Sequence, residues 1–342
     1  MSKITHLELE NFTAFHAFDS PFSEGLNVLI GANGTGKTHL LKILYAACAI
    51  TAGEDLERTF PSKLRAVFTP FEGRVGRMAT RAGKSVNVRI AVTRKDRQTL
   101  GAQFSNHTSR LTDVRVVGEN AWKKTETWCA YIPVKELLAH APGFLATVAK
   151  REIAFEEVYV DILKRAFLPK LLGPADRKRM TLLAALQKAI EGKVIAKGEY
   201  FFLKNRQGDL EFTLLAEGIR KLALIWLLIQ NGTLLGGSVL FWDEPEANLN
   251  PALLGEVAEV ILALQRLGVQ VFLTTHNYVL LKEIDLRAKK GDVVLFTSLF
   301  RDGGKVTARQ GKTYQDVDPN TISETFAALY KKDMTRALRG KG

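Results

Sequence analysis

The chain has 342 residues, room for one large or two modest domains, and its 46% hydrophobic and 25% charged content is ordinary for a soluble globular protein. No apolar run approaches the roughly 20 residues that a membrane helix needs, and residues 1–10 alternate polar and apolar where a signal peptide needs an unbroken apolar core; the expectation is a cytoplasmic protein with no membrane partner. The net charge of +12 suits an anionic partner such as nucleic acid, and the two cysteines, Cys48 and Cys129, sit in apolar surroundings without metal-ligand spacing, as buried thiols in a reducing compartment.

Taken in order, residues 1–30 read as two strands joined by 11–18, whose aromatic residues pack a sheet edge or brace a flat ligand. The run Leu26–Ile30 has strand character. A glycine-rich loop follows it, and Leu40, Leu41, Ile43 and Leu44 then recur at helical spacing. Between 58 and 97 the chain carries eleven basic residues against only Glu72 and Asp96, with Phe60, Phe68 and Phe71 interleaved. That stretch is either a solvated loop or an anion-binding surface. Residues 86–118 are rich in alternating β pattern, and 128–132 form a strand stopped by Pro133.

From 134 to 192 two helical faces stand out, Phe155/Val158/Tyr159/Ile162 and Leu182/Leu183/Leu186/Ile190, with no sustained heptad. This block is a candidate lid or partner-binding subdomain. Residues 193–213 read as one hairpin turning at 207–209, and 217–230 as a buried helix. Val239–Trp242 is a buried parallel strand ending in Asp243 and Glu244. An amphipathic helix at 251–267 leads to a second buried strand tipped by Thr274, Thr275 and His276. A hairpin near 302–304 and a basic helix end the chain.

The chemistry concentrates in three places. Gly31, Ala32, Asn33, Gly34, Thr35, Gly36, Lys37 and Thr38 match the phosphate-loop pattern G-x-x-x-x-G-K-[ST] in strand–loop–helix context. Backbone amides there cradle a phosphate, Lys37 reaches the β- and γ-phosphates, and the Thr38 hydroxyl ligates Mg²⁺. Two carboxylates ending an apolar strand belong beside such a loop. Asp243 would hold Mg²⁺ through water, and Glu244 would orient or deprotonate the attacking water. His276, at the same edge of the sheet, would bond the γ-phosphate or that water.

In this order the three segments resemble the ATP-binding-cassette type of ATPase, and more closely its structural-maintenance-of-chromosomes, RecF and overcoming-lysogenization-defect branch. The resemblance makes Gly31–Thr38 Walker A, 240–243 with Glu244 Walker B, 247–251 the D-loop and His276 the switch histidine. It places Leu215–Lys221 at the signature loop, where Glu217 and Gly218 would approach a partner's nucleotide, although Ala216 replaces the family serine. No glutamine stands at the Q-loop position after Pro133, where Lys135 or Glu136 would substitute. Resemblance is good over 1–50 and 210–280 and poor between them.

The implied fold is α/β: a P-loop ATPase of the ABC type with a mixed sheet, a β-rich flank and a helical insert. The expected divisions are 1–133 and 193–300 for the two parts of the ATPase, 134–192 for the insert and 301–342 for the hairpin and terminal helix. The implied cofactors are ATP and Mg²⁺, bound at composite interfaces of a homodimer or larger homo-oligomer. Compact relatives in bacterial antiphage modules work with a separate nuclease or toxin, so the first expectation is an ATP-driven switch gating such an effector. The alternatives are a RecF-like mediator on DNA, with segment 58–97 as its nucleic-acid surface, and an ATP-binding scaffold that does not hydrolyse. The acids at 243–244 are expected on the strand adjoining that of the loop.

Overall fold

A computed structural model of the chain describes residues 3–151, 155–173 and 176–339; Met1 and Ser2 of the predicted opening strand lie outside these. The chain opens with a hairpin, β1 (Ile4–Phe12) and β2 (Phe15–Pro21), followed by β3 (Leu26–Gly31), the glycine loop and helix α1 (Lys37–Ala49). Helix α2 (Phe60–Phe68) leads to β4 (Asn87–Arg94), β5 (Thr99–Ser105), β6 (Arg115–Val117), the short α3 (Glu119–Lys123) and β7 (Cys129–Ile132). The helical stretch is α4 (Phe144–Arg151), α5 (Glu157–Ala166) and α6 (Arg177–Ala189). Three short strands follow, β8 (Lys193–Lys197), β9 (Tyr200–Asn205) and β10 (Gly208–Glu211), and then α7 (Glu217–Gln230). The remainder is β11 (Val239–Asp243), α8 (Leu254–Arg266), β12 (Gln270–Thr275), α9 (Tyr278–Arg287), β13 (Val294–Asp302), β14 (Lys305–Gly311) and α10 (Thr321–Arg339).

The central sheet runs β14-β13-β3-β12-β11-β7, parallel except for the β13–β14 hairpin. Strands β3, β11 and β12 are buried throughout, as parallel strands covered on both faces must be. Their side chains alternate between two cores. Val28, Ile30, Leu240, Trp242, Val271 and Leu273 face the core built with α7, α8 and α9. Leu29, Val239, Phe241 and Phe272 face α1 and the antiparallel flank β2-β1-β4-β5-β6. Helix α1 is thus packed between two sheets, which fixes the loop at its N-terminus.

Three sequence expectations are corrected. Residues 193–211 form a three-stranded meander, not one hairpin, because Gly198 takes φ 58° and turns the chain between β8 and β9. The 300/301 boundary falls inside β13, whose pairing with β3 makes it part of the central sheet. The basic stretch 58–97 is not one surface. Lys63 is fully buried, 2.7 Å from both Asp55 and Asp161, and Arg58 pairs with Glu157. Arg94 is buried over the Trp122 ring, while Arg74, Arg89 and Lys95 pair with neighbouring acids. Asp55, Glu157 and Asp161 have the spacing of a metal cluster, but the Lys63 ammonium stands among them and, with Arg58, offsets most of their charge. With Lys42–Glu156 (2.8 Å) and Tyr45–Asp161 (2.6 Å), this network pins α5 of the insert to α1 and α2.

Candidate nucleotide-binding site

The loop after β3 needs its glycines. Gly31, Gly34 and Gly36 take φ of 146°, 76° and 90°, and a Cβ on Gly36 would lie 2.6 Å from the Phe15 ring. The tip residues Ala32, Asn33 and Gly34 are exposed, while Thr35 is buried and bonds the Ala32 carbonyl at 2.8 Å. Helix α1 starts without a side-chain cap, so its first amides are left for an anion. The Lys37 ammonium donates to the carbonyls of Gly31 (2.7 Å) and Ala32 (3.2 Å). Burial pushes it below the ordinary lysine range, against the opposing pull of Glu244, Asp243 and Glu246. Arg301 on β13 donates to the Gly34 carbonyl at 3.0 Å and brings a second cation to the loop.

The loop and the acids are not on adjoining strands. Strand β12 lies between β3 and β11, in register with both. All three strands end at the same edge, and the gap is closed by side chains. The Thr38 hydroxyl donates to Asp243 Oδ1 at 3.2 Å across it. Asp243 is buried and also accepts from Thr274 (2.5 Å) and Tyr131 (3.0 Å). Burial and the adjacent carboxylate hold the Tyr131 phenol well above its usual range, so it remains a donor. A hydroxyl from the first turn of α1 and a carboxylate from the end of β11, beside uncapped amides and a buried lysine, is the oxygen donor set that a Mg²⁺–nucleotide requires. The residues present therefore fit ATP and Mg²⁺, with Thr38 and Asp243 as the residues that would hold the metal.

Glu244 takes a left-handed backbone, φ 48°, stabilised by its N–H on the Thr274 carbonyl (3.2 Å) and hydroxyl (3.1 Å). This turn swings its carboxylate out of the strand line to 3.2 Å from His276 Nδ1. Sequence reasoning missed Glu246. It is buried, accepts from the Thr275 hydroxyl (2.7 Å) and the His276 amide (3.1 Å), and so holds the tip of β12 under the histidine. Its second oxygen is buried without a hydrogen-bond partner among the described residues, and burial raises its carboxyl above the ordinary range. The signal available was a third acid two residues past the pair, Asp243-Glu244-Pro245-Glu246. Tyr131 and Arg301 gave no signal in the sequence, because only the sheet order brings them to the site.

At the signature position Glu217 and Gly218 make contacts within their own chain. Glu217 accepts from Asn248 at 2.9 Å, and a Cβ on Gly218 would lie 2.4 Å from Leu249. Lys221 is buried and reaches the Ala247 carbonyl at 2.5 Å. The start of α7 is thereby tied to the segment 247–249 that follows the acids. It also has no side-chain cap. At the Q-loop position Lys135 is exposed, whereas Glu136 turns inward, its side chain 1% exposed, into an ion pair with Arg220 of α7 at 2.7 Å. Glu136 therefore links β7 to the signature helix and does not face the metal position.

Two family models match the chain. The family model described as "AAA domain, putative AbiEii toxin, Type IV TA system" matches residues 111–282, half of the chain, and an "AAA ATPase domain" model matches 2–49. The chain belongs to this AAA family. The first match reaches into the stretch that motif reading left blank, from 111 onward, and residues 50–110 lie outside both matches.

Among solved structures, the Smc head bound to the C-winged helix domain of ScpA is similar, with a TM-score of 0.52 and 12% identity over 92% of this chain and 98% of that one. The Pyrococcus furiosus Smc head domain with an extended coiled coil, bound to the C-terminal domain of ScpA, gives 0.53 at 12% identity, covering 97% of this chain and 100% of that one. These likenesses show the fold. The DNA replication and repair protein RecF of Lacticaseibacillus casei is 51% identical over 43 residues, 13% of this chain. The same figures hold for that of Lacticaseibacillus paracasei. The match spans only 12% of these relatives' length.

Proposed function

We propose that this chain is an ABC-type ATPase that binds ATP with Mg²⁺ on the loop at Lys37 and uses binding and hydrolysis as a conformational switch. The observation that carries the reading is the Thr38–Asp243 contact at 3.2 Å with the Glu244–His276 pair at the same sheet edge. Bound Mg²⁺ would neutralise phosphate charge and so ease attack at the γ-phosphate. Lys37 would exchange its loop carbonyls for phosphate oxygens. Glu244 would take the proton of the attacking water, and His276, set by Glu246, would hold that water or the γ-phosphate. A second copy would present the uncapped start of α7, at Glu217 and Gly218, over the nucleotide, closing two sites in a head-to-tail pair. The switch would gate a separate effector, a nuclease or toxin, in antiphage defence; the toxin–antitoxin description of the family supports this reading.

The test is Glu244→Gln. It should lower the ATP turnover rate by about 100-fold or more, the scale of general-base catalysis, while nucleotide binding and the closed assembly persist. Turnover at the parental rate would remove Glu244 as the base. The short, high-identity match to RecF favours a second reading, an ATP-dependent DNA-binding mediator. Its surface would include Arg77, Arg81 and Lys84, which like Arg65 and Arg97 of the same segment have no ion-pair partner among the described residues. The first two line a polar pocket of about 270 Å³ with Arg74 and His107. DNA affinity that falls steeply with salt and is lost in Arg77→Glu/Arg81→Glu would favour it over the effector reading.

A further inference from the structure

The polar pocket of about 270 Å³ lies between the 3₁₀ turn Val75–Met78 and the loop from β5 to β6, and its frame is fixed without a ligand. The Gly76 N–H donates to the Thr108 carbonyl at 2.9 Å, and the two segments run so close that a Cβ on Gly76 would stand 2.7 Å from the Asn106 carbonyl oxygen. The Asn106 side chain accepts from the Val86 amide (3.2 Å) and donates to the Lys84 carbonyl (3.1 Å). Thr80 is buried, and its hydroxyl donates to the Phe15 carbonyl at 3.2 Å, which anchors the wall on the β1–β2 hairpin.

The walls carry Arg74, Arg77, Arg81 and His107, with Ser109 beside them and no carboxylate among the lining residues. Arg74 pairs with Glu72 outside the wall at 2.8 Å, whereas Arg77 and Arg81 have no ion-pair partner among the described residues. Guanidinium groups gathered around one small cavity repel each other, and a phosphate supplies the missing charge with oxygens that fit their fork of donors. Size narrows the ligand further. The pocket is just under the roughly 300–1,000 Å³ of small-ligand sites, room for one phosphate with its sugar and not for a length of strand. A phosphomonoester, with a charge of about −1.5 to −2, answers two unpaired arginines better than the single charge of a diester. An aromatic platform stands beside it: Phe71 is 67% exposed, with the Arg77 guanidinium 5.4 Å from its ring centroid. An unpaired base can stack on that ring.

We propose that this pocket binds the phosphomonoester of a nucleotide whose base stacks on Phe71, a second phosphate site separate from the loop at Lys37. It goes beyond the nucleic-acid reading, which asks only for a basic surface. The chemistry is shared by the phosphorylated end of a single strand and by a free nucleoside monophosphate. The test titrates the full chain with a short, internally labelled single strand carrying a 5′-phosphate, a 3′-phosphate or neither, read by anisotropy, and titrates adenosine monophosphate directly into the Lys37→Ala chain. A phosphorylated strand should bind about 10-fold or more tighter than the unphosphorylated one. That preference should vanish in Arg77→Gln/Arg81→Gln and persist in Lys37→Ala, and Phe71→Ala should weaken binding about 5-fold or more. Adenosine monophosphate that binds as tightly as the strand, and only with both arginines present, would identify the free nucleotide as the ligand; far weaker binding would identify the strand end. Equal affinity for all three strands without arginine-dependent binding of the monophosphate would overturn the pocket and leave a general DNA surface standing. Binding of none of these probes would overturn both. A phosphate preference lost in Lys37→Ala and kept in the arginine variant would assign the phosphate to the loop and overturn the second site.

Discussion

Single side chains decide whether the strand ends form a site. Asp243 keeps its place by accepting from three hydroxyls, Thr38, Thr274 and Tyr131. Removing the buried Tyr131 donor as Tyr131→Phe should lower stability by about 1 kcal/mol and weaken Mg²⁺-dependent nucleotide binding, read by denaturation midpoint and titration. Glu246 predicts a pH effect. Its folded carboxyl lies above the unfolded value, so the native state binds more protons between the two, and stability falls as pH rises through that window. Glu246→Gln keeps an acceptor for Thr275 and removes the charge. Its stability relative to the parent should therefore improve as pH rises above the ordinary carboxylate range, whereas Glu246→Ala should be less stable throughout because it leaves the Thr275 hydroxyl and the His276 amide without their acceptor. A Glu246→Gln difference that does not change with pH would remove the linkage.

At the level of elements, buried polar contacts tie the nucleotide edge to the parts around it. Arg220 pairs with Glu136 and donates to the carbonyls of Phe212 and Leu215, joining α7, β7 and the turn before the signature. Arg220→Ala would strand a buried carboxylate and should destabilise by about 3–5 kcal/mol; a urea midpoint measures it, and adding Glu136→Gln should recover part of the loss. Gly218 tests what the signature glycine is for. With Leu249 packed against its Cα, Gly218→Ala should cost about 1–3 kcal/mol by overpacking even without nucleotide. A variant as stable as the parent that still fails to assemble with ATP would assign Gly218 to the partner's phosphate alone.

For the whole molecule, the nucleotide-driven pairing makes a direct prediction. Closure around nucleotide should require ATP and be lost in Lys37→Ala, with mass in solution reading the difference. The buried Lys63 network joins the helical insert to α1 and α2. Lys63→Met should leave buried carboxylates unpaired and destabilise by about 3–5 kcal/mol, read by thermal or urea unfolding. Among the described residues no helix is long and apolar enough to cross a membrane.

The sequence by itself determined the elements that rest on local pattern: the buried strands, the glycine loop between β3 and α1, helix 217–230, and the acid and histidine strand tips. These are legible because each follows from periodicity or from backbone conformations that only certain residues adopt. Tertiary structure alone decided the strand order, with β12 between the loop and the acids. It also decided the roles of Tyr131, Arg301 and Glu246, and the fate of the basic segment, half of which turned inward or into ion pairs. Such facts depend on which residues far apart in the chain are brought together. A cation reads the same in sequence whether it will face an acid, an aromatic ring or solvent, and only packing chooses among them.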